Sequence, residues 1–164
     1  MSEIYVQIKT VNDLKGVFAK REGAKWIVKY IEEFGYTFAN RKLQFESRVT
    51  NVDETDIRIM DILDVTEELV PIYYEFKSVA KVPPAKFNEQ FVKDLSRIDV
   101  NDLTQIQWIF DGAKSPSDFK SNLLNVVNDL SFSANVLSKF GFTRNAQLRE
   151  LISDNFEDVF VLVE

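Results

Sequence analysis

Apolar and polar positions alternate along Ile57–Asp64 (I-R-I-M-D-I-L-D) and again along Val70–Val79 (V-P-I-Y-Y-E-F-K-S-V), a period of two that predicts a pair of β-strands. After Pro83-Pro84 the period changes. Phe87, Phe91, Leu95 and Ile98 recur at three- and four-residue intervals, which predicts an amphipathic helix starting near Pro84 with those four residues on its buried face. Alternation returns over Thr104–Phe110 and is stopped by Asp111-Gly112. Strand, helix, strand is the order of a right-handed βαβ unit, so the strands carrying Glu75 and Trp108 are expected to be parallel neighbours. Upstream, Arg41–Val49 reads as a half-exposed strand, and the polar turn Thr50–Asp56 returns it to the Ile57 strand as an antiparallel hairpin. The expected fold is therefore α/β, a mixed β-sheet flanked by helices.

The remaining elements frame this sheet. Ile4–Ile8 alternates as a short strand, and Thr10 or Asn12 caps a helix that Gly16 weakens and Gly23 is expected to interrupt. From Ala24 to Phe34 the residues Trp26, Ile27, Tyr30, Ile31 and Phe34 fall on one helical face, with Gly35 as the C-cap, which makes this helix a cover over the sheet. A helix capped by Ser117 is expected to run through Leu130, a shorter one to cover Val136–Phe140 and stop at Gly141, and a third to span Ala146–Ile152. Val159–Val163 reads as a final strand.

Composition narrows the chemistry more than the fold. With 164 residues, 45% of them hydrophobic, one core and one domain over 1–164 are expected, and the order of strands and helices sets its centre at about 20–112 and a C-terminal helical extension at about 113–164. The chain has no cysteine and no histidine, which excludes disulfides, thiolate nucleophiles, Ser-His-Asp triads and His- or Cys-ligated metals. Only oxygen ligands remain, pointing to magnesium, manganese or calcium if a metal is bound. The net charge of −6 argues against nonspecific coating of nucleic acid, yet residues 75–97 carry five basic and three acidic side chains and form a positive segment. No apolar run approaches a membrane span, and the N-terminus lacks a signal-peptide pattern, so a cytoplasmic location without membrane contact is expected of the chain as it stands.

Strand geometry then sorts the charged residues. Glu75 and Lys77 share a face, and Asp61 shares one with Ile57, Ile59 and Leu63, an expensive place for a carboxylate unless it is compensated. Magnesium is commonly held by one or two carboxylates, which Asp61 and Glu75 can supply from paired strands; Asp64 is a fallback ligand but lies on the opposite face. Lys77 would then sit beside the attacking water or offset charge on a phosphate. On the following helix Lys86, Gln90, Lys93 and Arg97 recur at i, i+4, i+7 and i+11, a polar stripe that reads as a phosphate track.

The pattern Asp61-x13-Glu75-x-Lys77 on two strands, followed by a helix carrying Gln90, resembles the PD-(D/E)xK, or restriction-endonuclease-like, nuclease superfamily. Glu75-Phe76-Lys77 is the single E-x-K of the chain, about the number chance provides, so its setting gives it weight rather than the tripeptide itself. More narrowly, Y-Y-E-F-K-S, N-E-Q-F and Q-I-Q-W-I-F resemble nuclease toxin domains of bacterial polymorphic and contact-dependent inhibition systems. The resemblance implies a metal-dependent endonuclease with Mg2+ (or Mn2+), catalytic residues Asp61, Glu75, Lys77 and Gln90, and a glutamate on the first helix, with Glu22 placed better than Glu33. It also implies nucleic acid as substrate, DNA ahead of tRNA, a cognate immunity protein, and export within a larger protein to act in the cytoplasm of a target cell. The rival expectation is a non-catalytic acidic module, of an immunity or adaptor type, that binds a basic partner; it leaves Asp61 on its apolar face unexplained.

Overall fold

The computed structural model describes residues 18–50, 57–67 and 69–164, with side chains described for 23–45, 61–67 and 69–164. The expected strand Ile4–Ile8, the cap at Thr10 or Asn12 and most of the turn Thr50–Asp56 lie outside the described residues. Helix α1 (Phe18–Phe34) leads through a 3-10 turn, Gly35–Phe38, into strands β1 (Leu43–Thr50), β2 (Ile57–Asp64) and β3 (Ile72–Lys77). Helix α2 (Phe87–Leu95), a 3-10 turn (Leu103–Gln105) and β4 (Ile106–Asp111) follow. The chain then runs through α3 (Phe119–Val127), α4 (Ala134–Lys139), α5 (Asn145–Asp154), α6 (Phe156–Val159) and β5 (Phe160–Val163).

The five strands form one mixed sheet in sequential order. β1, β2 and β3 pair antiparallel, whereas β3–β4 and β4–β5 pair parallel, with α2 in the β3–β4 crossover. Register fixes the faces. Tyr73 lies opposite Leu63 and Ile106, and Glu75 lies opposite Trp108, so these side chains share one face; Tyr74 and Phe76 share the other with Ile62 and Ile109. The first face is covered by Phe87, Phe91 and Leu95 of α2 and by Leu123, Leu148 and Phe156 of the C-terminal helices. The second is covered by Trp26 and Ile27 of α1 together with Phe38, and Tyr30 meets Phe76 edge-on at 5.2 Å. Residues past 113 are thus no appendage, because they cover one face and add β5 to the sheet. Among the described residues no helix is long and apolar enough to cross a membrane.

Several boundaries differ from the expectation for local physical reasons. Helix α1 runs through Gly23, where an added Cβ would meet nothing within 4 Å, because burial of Ala24, Trp26 and Ile27 outweighs the roughly 1 kcal/mol a helical glycine costs. The turn opened by Pro84, whose carbonyl accepts from Phe87 N–H at 3.1 Å, precedes α2, which begins only at Phe87. At its far end α2 stops at Leu95; Ile98 is 66% exposed and Val100, not Ile98, fills the core there. Asp102 and Gln105 form a reciprocal cap that winds Leu103–Gln105 into a turn, so β4 starts at Ile106 rather than Thr104. Helix α3 begins at Phe119 with Asp118 at its N-cap, and ends at Val127, inside the expected limits of Ser117 and Leu130.

Burial raises the acid constants of two core tyrosines. The Tyr73 hydroxyl is pushed well up, by desolvation first and then by its hydrogen bond to Asp99, and Tyr74 is pushed up to about 12 by burial and the nearby Asp64 carboxylate. An unfolded tyrosine ionises near pH 10. Below that pH both states hold the proton and the contribution is complete; between about 10 and 12 only the unfolded chain ionises, so stability is lost as pH rises. Urea denaturation across that window should show a loss averaging about 2 kcal/mol per pH unit from the two groups. A flat profile from pH 10 to 12 would contradict this.

Candidate active site

The site forms where β2 and β3 meet the start of α2. β2 and β3 are paired through Ile62 and Tyr74, and carrying the register one residue further sets Asp61 opposite Glu75. Asp61 accepts the backbone N–H of Phe76 through Oδ2 at 2.8 Å, which holds its carboxylate against β3. Glu75 is buried and accepts the ammonium of Lys77 through Oε1 at 2.5 Å. Lys77 is two residues on, hence on the same face, and its side chain is only 15% exposed.

Helix α2 completes the arrangement because its apolar stripe is committed to the sheet. Phe87 and Phe91 pack edge-on against Trp108, the β4 partner of Glu75, at 5.1 and 5.9 Å. That anchorage turns the neighbouring flank, with Gln90, toward the end of β3. Gln90 Oε1 accepts from Lys77 Nζ at 3.5 Å. The ammonium also lies 4.9 Å from the centre of the Trp108 ring. Three elements therefore converge on Lys77, through Glu75 of β3, Gln90 of α2 and Trp108 of β4, while Asp61 of β2 is held against the β3 backbone at Phe76.

The other candidates fare differently. Glu22 lies on α1, but its side chain is outside the described residues, and Glu33 is exposed. Lys86 is exposed at the N-cap of α2 with φ +63°, and Lys93 pairs with Glu89 at 3.0 Å on the same helix. Arg97 does not belong to the stripe. The helical wheel ceases to apply beyond Leu95, and the chain turns Arg97 inward, 2% exposed, 3.8 Å from Asp94 and over the Tyr73 ring at 4.9 Å. Asp64 is also committed elsewhere: it accepts from Arg41 at 2.8 Å and from Thr66 N–H at 2.9 Å, tying the end of the β1–β2 hairpin. Trp108 beneath the ammonium is the neighbour that sequence reasoning left out, although the expected β3–β4 pairing already set it beside Glu75.

As a donor set, Asp61 and Glu75 offer carboxylate oxygens from adjacent strands, which suits magnesium or manganese and not a soft metal. Among the described residues no cluster of three or more carboxylates gathers, and Asp61 and Glu75 are the pair that β2 and β3 offer. Magnesium commonly takes that few and fills its remaining positions with water and substrate oxygens. No family model, curated protein or solved structure matches the chain.

Proposed function

We propose that the protein hydrolyses phosphodiester bonds in nucleic acid, with a divalent cation held by Asp61 and Glu75. The observation that carries the reading is the convergence of a buried glutamate, a half-buried lysine and a glutamine on one end of β3, with an aspartate of β2 against the same strand. The element order favours it as well: a helix, three antiparallel strands, a crossover helix and a parallel fourth strand suit a restriction-endonuclease-like core. Magnesium bound there would supply Lewis acidity toward a phosphate oxygen and the attacking water. Lys77 brings a fixed positive charge to where negative charge grows on the phosphate, in a setting shielded enough to make that charge count. Gln90 restrains the ammonium from the α2 side. In a bacterial setting this reading extends to a toxin domain restrained by an immunity protein, with DNA preferred to tRNA.

The direct test is incubation with plasmid DNA and, separately, with total tRNA, each in magnesium and in chelator. Cleavage in magnesium that chelator abolishes is expected; intact substrates throughout would overturn the reading. The α2 flank adds a prediction of its own. Each phosphate contact removed flattens the slope of log affinity against log salt by about 0.7 to 0.9. With Glu75→Gln protein as the binding form, Lys86→Ala should give such a flattening, and Lys93→Ala a smaller one because Glu89 already neutralises that lysine. Unchanged slopes in both variants would remove the phosphate track and leave the carboxylate site alone.

A further inference from the structure

We infer that Trp108 is a positioning residue for Lys77: its indole face holds the ammonium beside Glu75, and buried Asp94 fixes the indole by accepting its N–H. The inference rests on the proposed reading of the Asp61, Glu75 and Lys77 site. A lysine ammonium sits on a flexible four-carbon stem, so a single carboxylate does not determine where it stands. Glu75 is moreover a partner that a cation at Asp61 and Glu75 would draw on, and two positive charges competing for one carboxylate repel. An aromatic face escapes that competition, being electron-rich but neutral.

Trp108 is built for this task. It is fully buried in β4, in register with Glu75, and wedged edge-on against Phe87 and Phe91. Its Nε1–H donates to Asp94 Oδ2 at 3.1 Å, a buried hydrogen bond that favours one orientation of the ring. Asp94 is itself fully buried and lies 3.8 Å from the guanidinium of Arg97. Arg97 is held in turn over Tyr73, and Lys139 of α4 donates to its carbonyl oxygen. Packing alone would accept a phenylalanine at 108. The indole adds the N–H that reaches Asp94 and a larger face under the ammonium at 4.9 Å.

Trp108→Leu and Trp108→Phe test the inference, with Phe156→Leu as a control that damages the same core away from Lys77. In metal-free protein, the Lys77 ε-methylene protons, assigned by their loss in Lys77→Arg, should resonate upfield of an ordinary lysine because of the ring current. Trp108→Leu should return them to the ordinary position, Trp108→Phe should shift them part of the way, and Phe156→Leu should leave them alone. In magnesium, Trp108→Leu should lower kcat for plasmid cleavage about 10- to 30-fold, the size of a desolvated cation–π contact, with KM and magnesium affinity unchanged. Trp108→Phe should recover part of that loss. If Trp108→Leu does not fold, Trp108→Phe carries both readouts, and wild-type values for it in both would overturn the inference. An ordinary Lys77 resonance in a wild type that cleaves would overturn the inference and spare the nuclease reading. A displaced resonance in a wild type that cleaves nothing would support the held ammonium and overturn the nuclease reading.

Discussion

Lys77→Ala should reduce cleavage at saturating substrate by about 100- to 1,000-fold, the loss expected on removing one pre-positioned charge from a developing anion, while magnesium still binds. The geometry makes this sharper than a simple loss. Lys77 is the partner of Glu75 at 2.5 Å, so in the free protein it occupies the carboxylate that a cation would use. Its removal should leave magnesium affinity equal to or above wild type, and should leave Glu75, 5% exposed, short of a cation that magnesium can replace. The variant should therefore melt lower than wild type in chelator and gain more from magnesium, since a ligand of the folded state stabilises in proportion to its affinity. Glu75→Gln is expected to lose both magnesium binding and cleavage. It serves better than Glu75→Ala, because the Gln amide keeps an oxygen that can accept from the Lys77 ammonium, whereas Ala leaves no acceptor at position 75. Calorimetry in which Lys77→Ala loses magnesium binding together with activity would sink this division of labour.

Asp94→Ala should cost about 3–5 kcal/mol of stability, the usual effect of breaking a buried ion pair and leaving one charge behind. Asp94 is fully buried, Arg97 is 2% exposed, and Asp94 also takes the Trp108 indole N–H, so a buried guanidinium loses this counter-charge and the indole its acceptor at once. For a chain of this length the melting temperature should fall by roughly 10 °C. Asp94→Asn should cost less, because the amide oxygen still accepts from Trp108. Replacing both charges, as Asp94→Leu with Arg97→Met, should recover much of the loss, since the desolvation penalty disappears with them. A cost under about 1 kcal/mol for Asp94→Ala, read from urea denaturation, would mean that solvent reaches the pair.

The main strands were legible in the sequence because their apolar residues alternate and because turn residues bracket them. The same alternation placed Glu75 and Lys77 on one face, and the α2 stripe of Phe87, Phe91 and Leu95 turned Gln90 toward them; the contact at 3.5 Å follows from those two periodicities. Gly23 was misread because a local penalty was weighed without the burial of its neighbours. Arg97 was misread because an angular rule was carried past the last helical residue. The Asp94 and Arg97 spacing, opposite charges three apart, was a signal for their pairing. What no spacing could supply is that the pair would be inside, or that Trp108 would connect it to Lys77. Those contacts join β4, α2 and β3 across fourteen or more residues of chain, and they exist only once the helix is packed on the sheet.

The central claim is that Asp61 and Glu75 act with Lys77 on a phosphodiester. It is tested most directly by single-turnover cleavage of plasmid DNA and of total tRNA by wild-type and Glu75→Gln proteins, purified in parallel and assayed across one magnesium series with a chelator control. The account predicts magnesium-dependent strand cleavage by the wild type and none by Glu75→Gln, so that a contaminating nuclease is separated from this chain's own activity. Equal cleavage by the two proteins, cleavage that persists in chelator, or intact DNA and tRNA with the wild type at every magnesium concentration would contradict it.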